Sequence, residues 1–198
     1  MSENRVEVEV FQKSKKGNYY CGDSYFYTET EDEFICALAD GLGSGEFASE
    51  SSQVVVDIIG DNIHASVEQI IKTCNKNLTN KRGVVLGILK LNFKKQEYSY
   101  SSIGNIGVIT VLEDGSKKRN IPNNGYLAGF PRKFKIENGP LVPNMNFIMF
   151  SDGVSDTELS QGYFKNKDVK DIIATYKYKD GQMDDDITLI GMRYTGQQ

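Results

Sequence analysis

A single histidine, His64, is all the 198-residue chain offers, which excludes any mechanism that needs two imidazoles. Cysteine is nearly as scarce. Cys21, Cys36 and Cys74 are odd in number and stand at no metal-ligand spacing, so neither a disulfide framework nor a thiolate metal site is expected. Cys36 lies in an apolar run and Cys74 in a helical pattern, so both read as small core residues. His64 falls in the join between two helices and reads as an ordinary polar residue. Long apolar runs are also missing: no segment approaches the roughly 20 residues that span a bilayer. The opening MSENRVEVEVFQ lacks the basic-then-apolar layout of a signal peptide. A cytoplasmic protein with no membrane partner is the expectation. Basic charge is short as well. Lys and Arg number 23 against 27 Asp and Glu, a net charge of −4, which argues against nucleic acid as a partner.

What is present describes one globular domain over residues 1–198, with 39% hydrophobic and 25% charged residues. Residues 6–11 (VEVEVF) alternate in the manner of a strand, YFYTET gives a second, and EFICALAD gives a third whose continuous apolar centre suits burial on both faces. The period then changes. From Glu46 to about Asn62, Phe47, Val54, Val55, Ile58 and Ile59 recur at helical spacing. Ser66, with Gln69 three residues on, forms a capping box that opens a second helix to about Asn77. Strands return in VVLGILKLNF, EYSYSSIG and IGVITVLED as an antiparallel meander, and FIMFSDG supplies another. Residues 168–177 read as a short helix and ITLIGMRY as a closing strand. Two antiparallel sheets flanked by helices accommodate this order, an α+β four-layer αββα sandwich.

Acids recur in one context. Asp40 follows the apolar strand FICALA and precedes Gly41; Asp152 follows FIMFS and precedes Gly153; Asp185 and Asp186 precede ITLIGM. If the last strand runs antiparallel to the other two, its start shares a sheet edge with their ends and the carboxylates converge. Asp23, after Gly22 at a strand start, is a fourth. Acids gathered at the rim of an apolar core repel one another and are partly desolvated. No basic residue flanks them in sequence, and a divalent cation would compensate. Oxygen-only ligands select Mg²⁺ or Mn²⁺ over zinc. The loop DGLGSG also resembles a nucleotide-binding glycine turn, but the third glycine of that fingerprint would fall at Glu46, and no P-loop Lys-Ser/Thr pair follows.

Gly22-Asp23, Asp40-Gly-x-Gly-x-Gly45, Ser151-Asp152-Gly153 and Asp185-Asp186-x-Thr188, in that order, resemble the signature motifs of the PPM (type 2C) serine/threonine phosphatases, and GDSYF with DGLGSG resembles their compact SpoIIE-like bacterial branch. The resemblance covers about residues 20–190. It implies hydrolysis of phosphoserine or phosphothreonine by a metal-activated water, with Asp40, Asp152 and Asp185 as the catalytic acids and two Mn²⁺ or Mg²⁺ ions. Asp40 would bridge both ions and Gly41 would offer its carbonyl to one. Asp23 would help hold that same ion, directly or through water, while Asp152 and Asp185 hold the other. Asp156 matches the position for a third, weaker ion. The implied partners are phosphorylated regulatory proteins of stress-sigma-factor signalling, stressosome scaffold proteins among them, acted on by a monomer.

Three departures from that pattern stand out. The stretch KSKKGNYYCGD lacks the phosphate-gripping arginine of many relatives, leaving Lys15 or Lys16 as point charges or as a solvated basic turn. Leu42 replaces a histidine of eukaryotic relatives, and Asn105 stands where an acid is frequent. Two other classes remain alongside the protein phosphatase: a catalytically silent phosphoprotein-binding module, and a small-molecule phosphatase.

Overall fold

The structure, a computed structural model, describes residues 4–154, 168–177 and 184–196. Its elements in chain order are β1 (Val6–Lys13), β2 (Asp23–Glu29), β3 (Glu33–Gly41), α1 (Glu46–Asp61), α2 (Val67–Asn77), β4 (Val84–Asn92), β5 (Glu97–Ile103), β6 (Gly107–Val111), β7 (Lys117–Arg119), β8 (Glu137–Pro140), β9 (Met145–Phe150), α3 (Val169–Lys177) and β10 (Ile187–Tyr194). They form two five-stranded sheets, ordered β1-β10-β9-β6-β7 and β2-β3-β4-β5-β8, in which neighbouring strands pair antiparallel.

The pleat explains how the layers stack. Along β3, Phe34, Cys36 and Leu38 point between the sheets, where they meet Phe147, Met149, Ile190 and Met192 of the other sheet. The alternate residues Ile35, Ala37 and Ala39 point outward, under Val55, Ile59, Ile70 and Ile71 of α1 and α2. A strand apolar at every position is therefore buried on both faces, as its sequence predicts. On the far side, Ile172 and Ile173 of α3 cover Ile148, Phe150 and Leu189. The layers run α1 with α2, sheet, sheet, α3, which is the αββα sandwich.

Local chemistry sets the ends of the elements. Ser66 Oγ accepts from Gln69 N at 3.2 Å and Gln69 Oε1 accepts from Ser66 N at 3.0 Å, so the capping box forms as read. Cys36 and Cys74 are fully buried. His64 is less bland than its sequence context implies: its Nδ1 lies 2.8 Å from Glu33 Oε1, on the carboxylate that Lys90 holds at 3.0 Å. β7 and β8 do not emerge from the pattern, because KKR has no apolar alternation and ENGP ends in proline. Both are sheet edges, where charge and proline are tolerated.

One topological expectation needs correcting. β3, β9 and β10 do not share a sheet: β3 belongs to one sheet, β9 and β10 to the other. The strand ends meet because the sheets are stacked, not because the strands are hydrogen-bonded neighbours.

Candidate active site

At one end of the sandwich, β2 and β3 pair so that Asp23 lies directly opposite Asp40. The ladder continues one step further through Gly41 N, which donates to Gly22 O at 3.1 Å. Gly41 has no alternative here. A Cβ at this position would lie 2.0 Å from the backbone oxygen of Ala48, because α1 closes directly onto the loop.

The opposing sheet delivers the other acids. Asp152 immediately follows β9, and Asp184, Asp185 and Asp186 lead into β10, which pairs with β9. Ser151 N donates to Thr188 O at 3.0 Å, and Thr188 N donates to Ser151 Oγ at 2.9 Å. Thr188, fully buried, turns its hydroxyl across to the first sheet and donates to Asp23 Oδ2 at 2.7 Å. Gln12 Nε2 reaches both the Asp23 carbonyl, at 3.2 Å, and Thr188 Oγ1, at 3.1 Å. Side chains, not ladder bonds, therefore knit the two sheets together beneath the acids.

The paired acids ahead of β10 divide their work. Asp186 is buried and accepts from Lys15 N and Gly22 N, each at 2.8 Å, which ties the β1–β2 connection to the site. Asp185 is exposed, its Oδ1 accepting from Asp186 N at 2.9 Å. Asp152 is also exposed, and Asn105 Nδ2 donates to its Oδ2 at 2.6 Å. Asp156 lies outside the described residues. Lys15 and Lys16 are both exposed, on the connection that Asp186 anchors.

Electrostatics records the crowding. Burial, then Asp23, Asp152, Asp185 and Asp186 in turn, push the Asp40 carboxyl up to about 8. Burial lifts Asp23 to about 6 against the stabilising hydrogen bonds from Thr188 and Ser151. Asp152 is raised by burial and by Asp185, and is held back by backbone N–H groups and the Asn105 amide. Burial and Asp23 push the neighbouring Cys21 thiol up to about 12, so it stays protonated.

None of the ion pairs among the described residues involves Asp23, Asp40, Asp152, Asp185 or Asp186. Nor do any three Asp, Glu, Cys or His side chains among them close on a common point at ligating distance. Register and charge gather the acids, not a finished cage. The donor set is nonetheless all oxygen, carboxylates with the Gly41 carbonyl beside them, and it carries uncompensated negative charge. That suits a hard divalent cation.

Three contacts escape sequence reading: the Asn105 amide on Asp152, the Thr188 hydroxyl on Asp23, and the Ser151 hydroxyl, which accepts from Thr188 N and bonds Asp23. Ser151 and Thr188 stand inside the acidic motifs, but nothing in the string tells which carboxylate each hydroxyl serves.

Comparison with known proteins gives the family and the fold. The profile of the family described as stage II sporulation protein E (SpoIIE) matches residues 30–195. The chain is 36% identical over 185 residues to the phosphoserine phosphatase RsbX of Bacillus subtilis (strain 168), covering 93% of each protein. A crystal structure of RsbX in complex with magnesium superposes with a TM-score of 0.91 at 34% identity, over 98% of each chain. A structure from work on the bacterial stressosome, a modular system adapted to control secondary messenger signalling, matches at a TM-score of 0.83 and 21% identity, over 96% of this chain and 100% of that one. The catalytic domain of the serine/threonine phosphatase PstP, in complex with 2 manganese ions, matches at a TM-score of 0.77 and 15% identity, over 96% and 98%. The last two likenesses speak for the fold alone.

Proposed function

The chain belongs to the SpoIIE family of PP2C-type phosphatases, and from that premise we propose that it is a metal-dependent phosphatase releasing phosphate from phosphoserine or phosphothreonine on regulatory proteins. The observation that carries this reading is the Asp40 carboxyl, raised to about 8 by burial and four other aspartates, none of them ion-paired with a cationic side chain among the described residues. An acid cluster in that state gains most from divalent charge. RsbX, the phosphoserine phosphatase that shares 36% identity with this chain, supports the chemistry and, through its magnesium complex, the choice of cation.

Asp40, Asp23, the Gly41 carbonyl, Asp152 and Asp185 would hold two Mn²⁺ or Mg²⁺ ions, with Asp156 available to a third, weaker one. Bound there, such ions supply a water deprotonated near neutral pH and neutralise charge on the transferred phosphoryl group. The protein's own residues prepare the place. Thr188 and Ser151 hold Asp23 by hydrogen bonds that favour its ionised form. Asn105 fixes the Oδ2 oxygen of Asp152, and backbone N–H groups of Asp152 and Gly153 help to hold the carboxylate. Asp186 ties the connection carrying Lys15 and Gly22 to the site without being needed as a ligand. The intact acid set favours an active enzyme over a silent binding module.

We read residues 1–198 as one phosphatase domain, acting as a monomer in the cytoplasm on phosphorylated stressosome scaffold proteins of stress-sigma-factor signalling. No helix among the described residues is long and apolar enough to cross a membrane. The decisive assay measures phosphate release from p-nitrophenyl phosphate and from a phosphoserine protein, with Mn²⁺ or Mg²⁺ and with chelator, for wild type and Asp40→Asn. Release that requires metal and disappears in Asp40→Asn is expected. Turnover in the presence of chelator would remove the reading.

A further inference from the structure

Beside metal ions, a phosphate site gains from a forked cationic side chain, and the stretch KSKKGNYYCGD at residues 13–23 carries no arginine. The described residues contain five: two lie remote from the acids, a third bonds two carbonyls, and a fourth packs on a ring. Arg5 and Arg193 lie at the ends of β1 and β10 remote from the acids, since those strands reach the site through Lys13 and Ile187. Arg132 spends its guanidinium on the carbonyls of Asn124 and Tyr126. Arg119 stands over the Phe150 ring. Arg82 remains.

Its placement follows from the β3–β4 ladder. Gly41 pairs with Val84 and Asp40 with Val85, and Leu42 N donates to Gly83 O at 2.8 Å, so residue 82 emerges beside the DGLGSG loop. Arg82 Nη1 donates to Leu42 O at 3.2 Å. Gly43 makes room for it: a Cβ there would lie 2.2 Å from that nitrogen, and its φ of +99° also favours glycine. The guanidinium lies 5.8 Å from the centre of the Phe47 ring, and Phe47 is itself 65% exposed at the start of α1. Among the described residues Arg82 has no carboxylate partner, and its other N–H groups have no acceptor. It is thus an exposed fork of donors, oriented by a ring and by the carbonyl of Leu42, two residues after Asp40.

We infer that Arg82 is the residue that engages the substrate's phosphate, a role that the arginine-free connection between β1 and β2 leaves open. A planar guanidinium grips two phosphate oxygens at once, which a lysine cannot. This rests on the phosphatase reading above and adds to it the residue that recognises the transferred phosphoryl group.

The test uses the full chain with Mn²⁺, p-nitrophenyl phosphate as substrate and inorganic phosphate as competitive inhibitor. Arg82→Ala is expected to raise both KM and the phosphate inhibition constant by about tenfold or more, with kcat changed much less. Arg82→Lys is expected to recover part of that loss, and unchanged Mn²⁺ affinity with unchanged melting shows that the fold and the metal site persist. If wild type turns over and Arg82→Ala keeps both constants within about twofold of it, the inference is overturned while the phosphatase reading stands. The same follows if Lys15→Ala raises both constants and Arg82→Ala does not. If wild type shows no metal-dependent turnover, the phosphatase reading fails and this inference with it.

Discussion

Asp23 and Asp40 face each other across the β2–β3 ladder, Asp23 accepting from the buried Thr188 hydroxyl and Asp40 without a side-chain donor among the described residues. Two carboxylates opposed in an antiparallel pair repel each other. A pairing that destabilises the metal-free protein is sensible only where function needs it.

The first consequence concerns Asp40 itself. Asp40→Asn keeps the shape and removes the charge, so metal-dependent turnover should fall by at least about a thousandfold. The same variant should be more stable than wild type without metal at pH 8, by a few kcal/mol on the scale of ~1.4 kcal/mol per unit of raised pKa. Thermal melting in chelator checks this, and a less stable variant would contradict the crowding.

The dependence on pH follows in sign. A carboxyl raised in the folded state contributes stability that is fully present below its unfolded value of 3.8 and is lost as pH climbs through its folded value, about 8 for Asp40 and about 6 for Asp23. Metal-free protein should therefore melt at progressively lower temperature from about pH 4 to about pH 8, other groups aside. Added Mn²⁺ should raise the melting temperature more at pH 8 than at pH 5, because at low pH protons compete for the same oxygens. Melting curves at both pH values with and without the ion decide it.

Thr188→Val deletes the hydroxyl that donates to Asp23 at 2.7 Å while leaving the β10 backbone intact. Loss of a buried hydrogen bond to a charged group should cost about 1–3 kcal/mol, and metal affinity should weaken by about 10–100-fold. Calorimetric titration with Mn²⁺ reads the second effect separately from the first. Thr188→Ser, which keeps the donor, should recover most of the affinity.

Gly41→Ala tests the close approach of α1. The new Cβ would fall 2.0 Å from the Ala48 oxygen, so the loop or the helix must shift, at a cost of at least about 1–3 kcal/mol. Turnover should drop further than stability, because on the proposed reading the displaced carbonyl would be the one offered to the metal. Equal activity at reduced stability would show that Gly41 serves packing alone.

Much of this was legible along the chain. Period-two and helical patterns located most of the elements, and the Ser66–Gln69 box marked the start of α2 within a residue. The recurrence of Asp beside Gly at the ends of apolar strands singled out Asp40 and Asp152. Legibility stopped at β7 and β8, whose edge positions need no apolar alternation, and at Asn105, which bears on Asp152 from 47 residues away. No local rule covers a contact of that span.

The sequence alone thus determined which residues are acidic, which strands carry them and which glycines clear the way, because propensity, pleat and turn chemistry act over a few residues. Tertiary structure alone decided that Asp23 and Asp40 come from one sheet and Asp152 and Asp185 from the other, that Asp186 anchors a loop, and that Thr188 crosses between the sheets. Those outcomes depend on how two buried faces stack, and the burial that drives stacking has no direction along the chain.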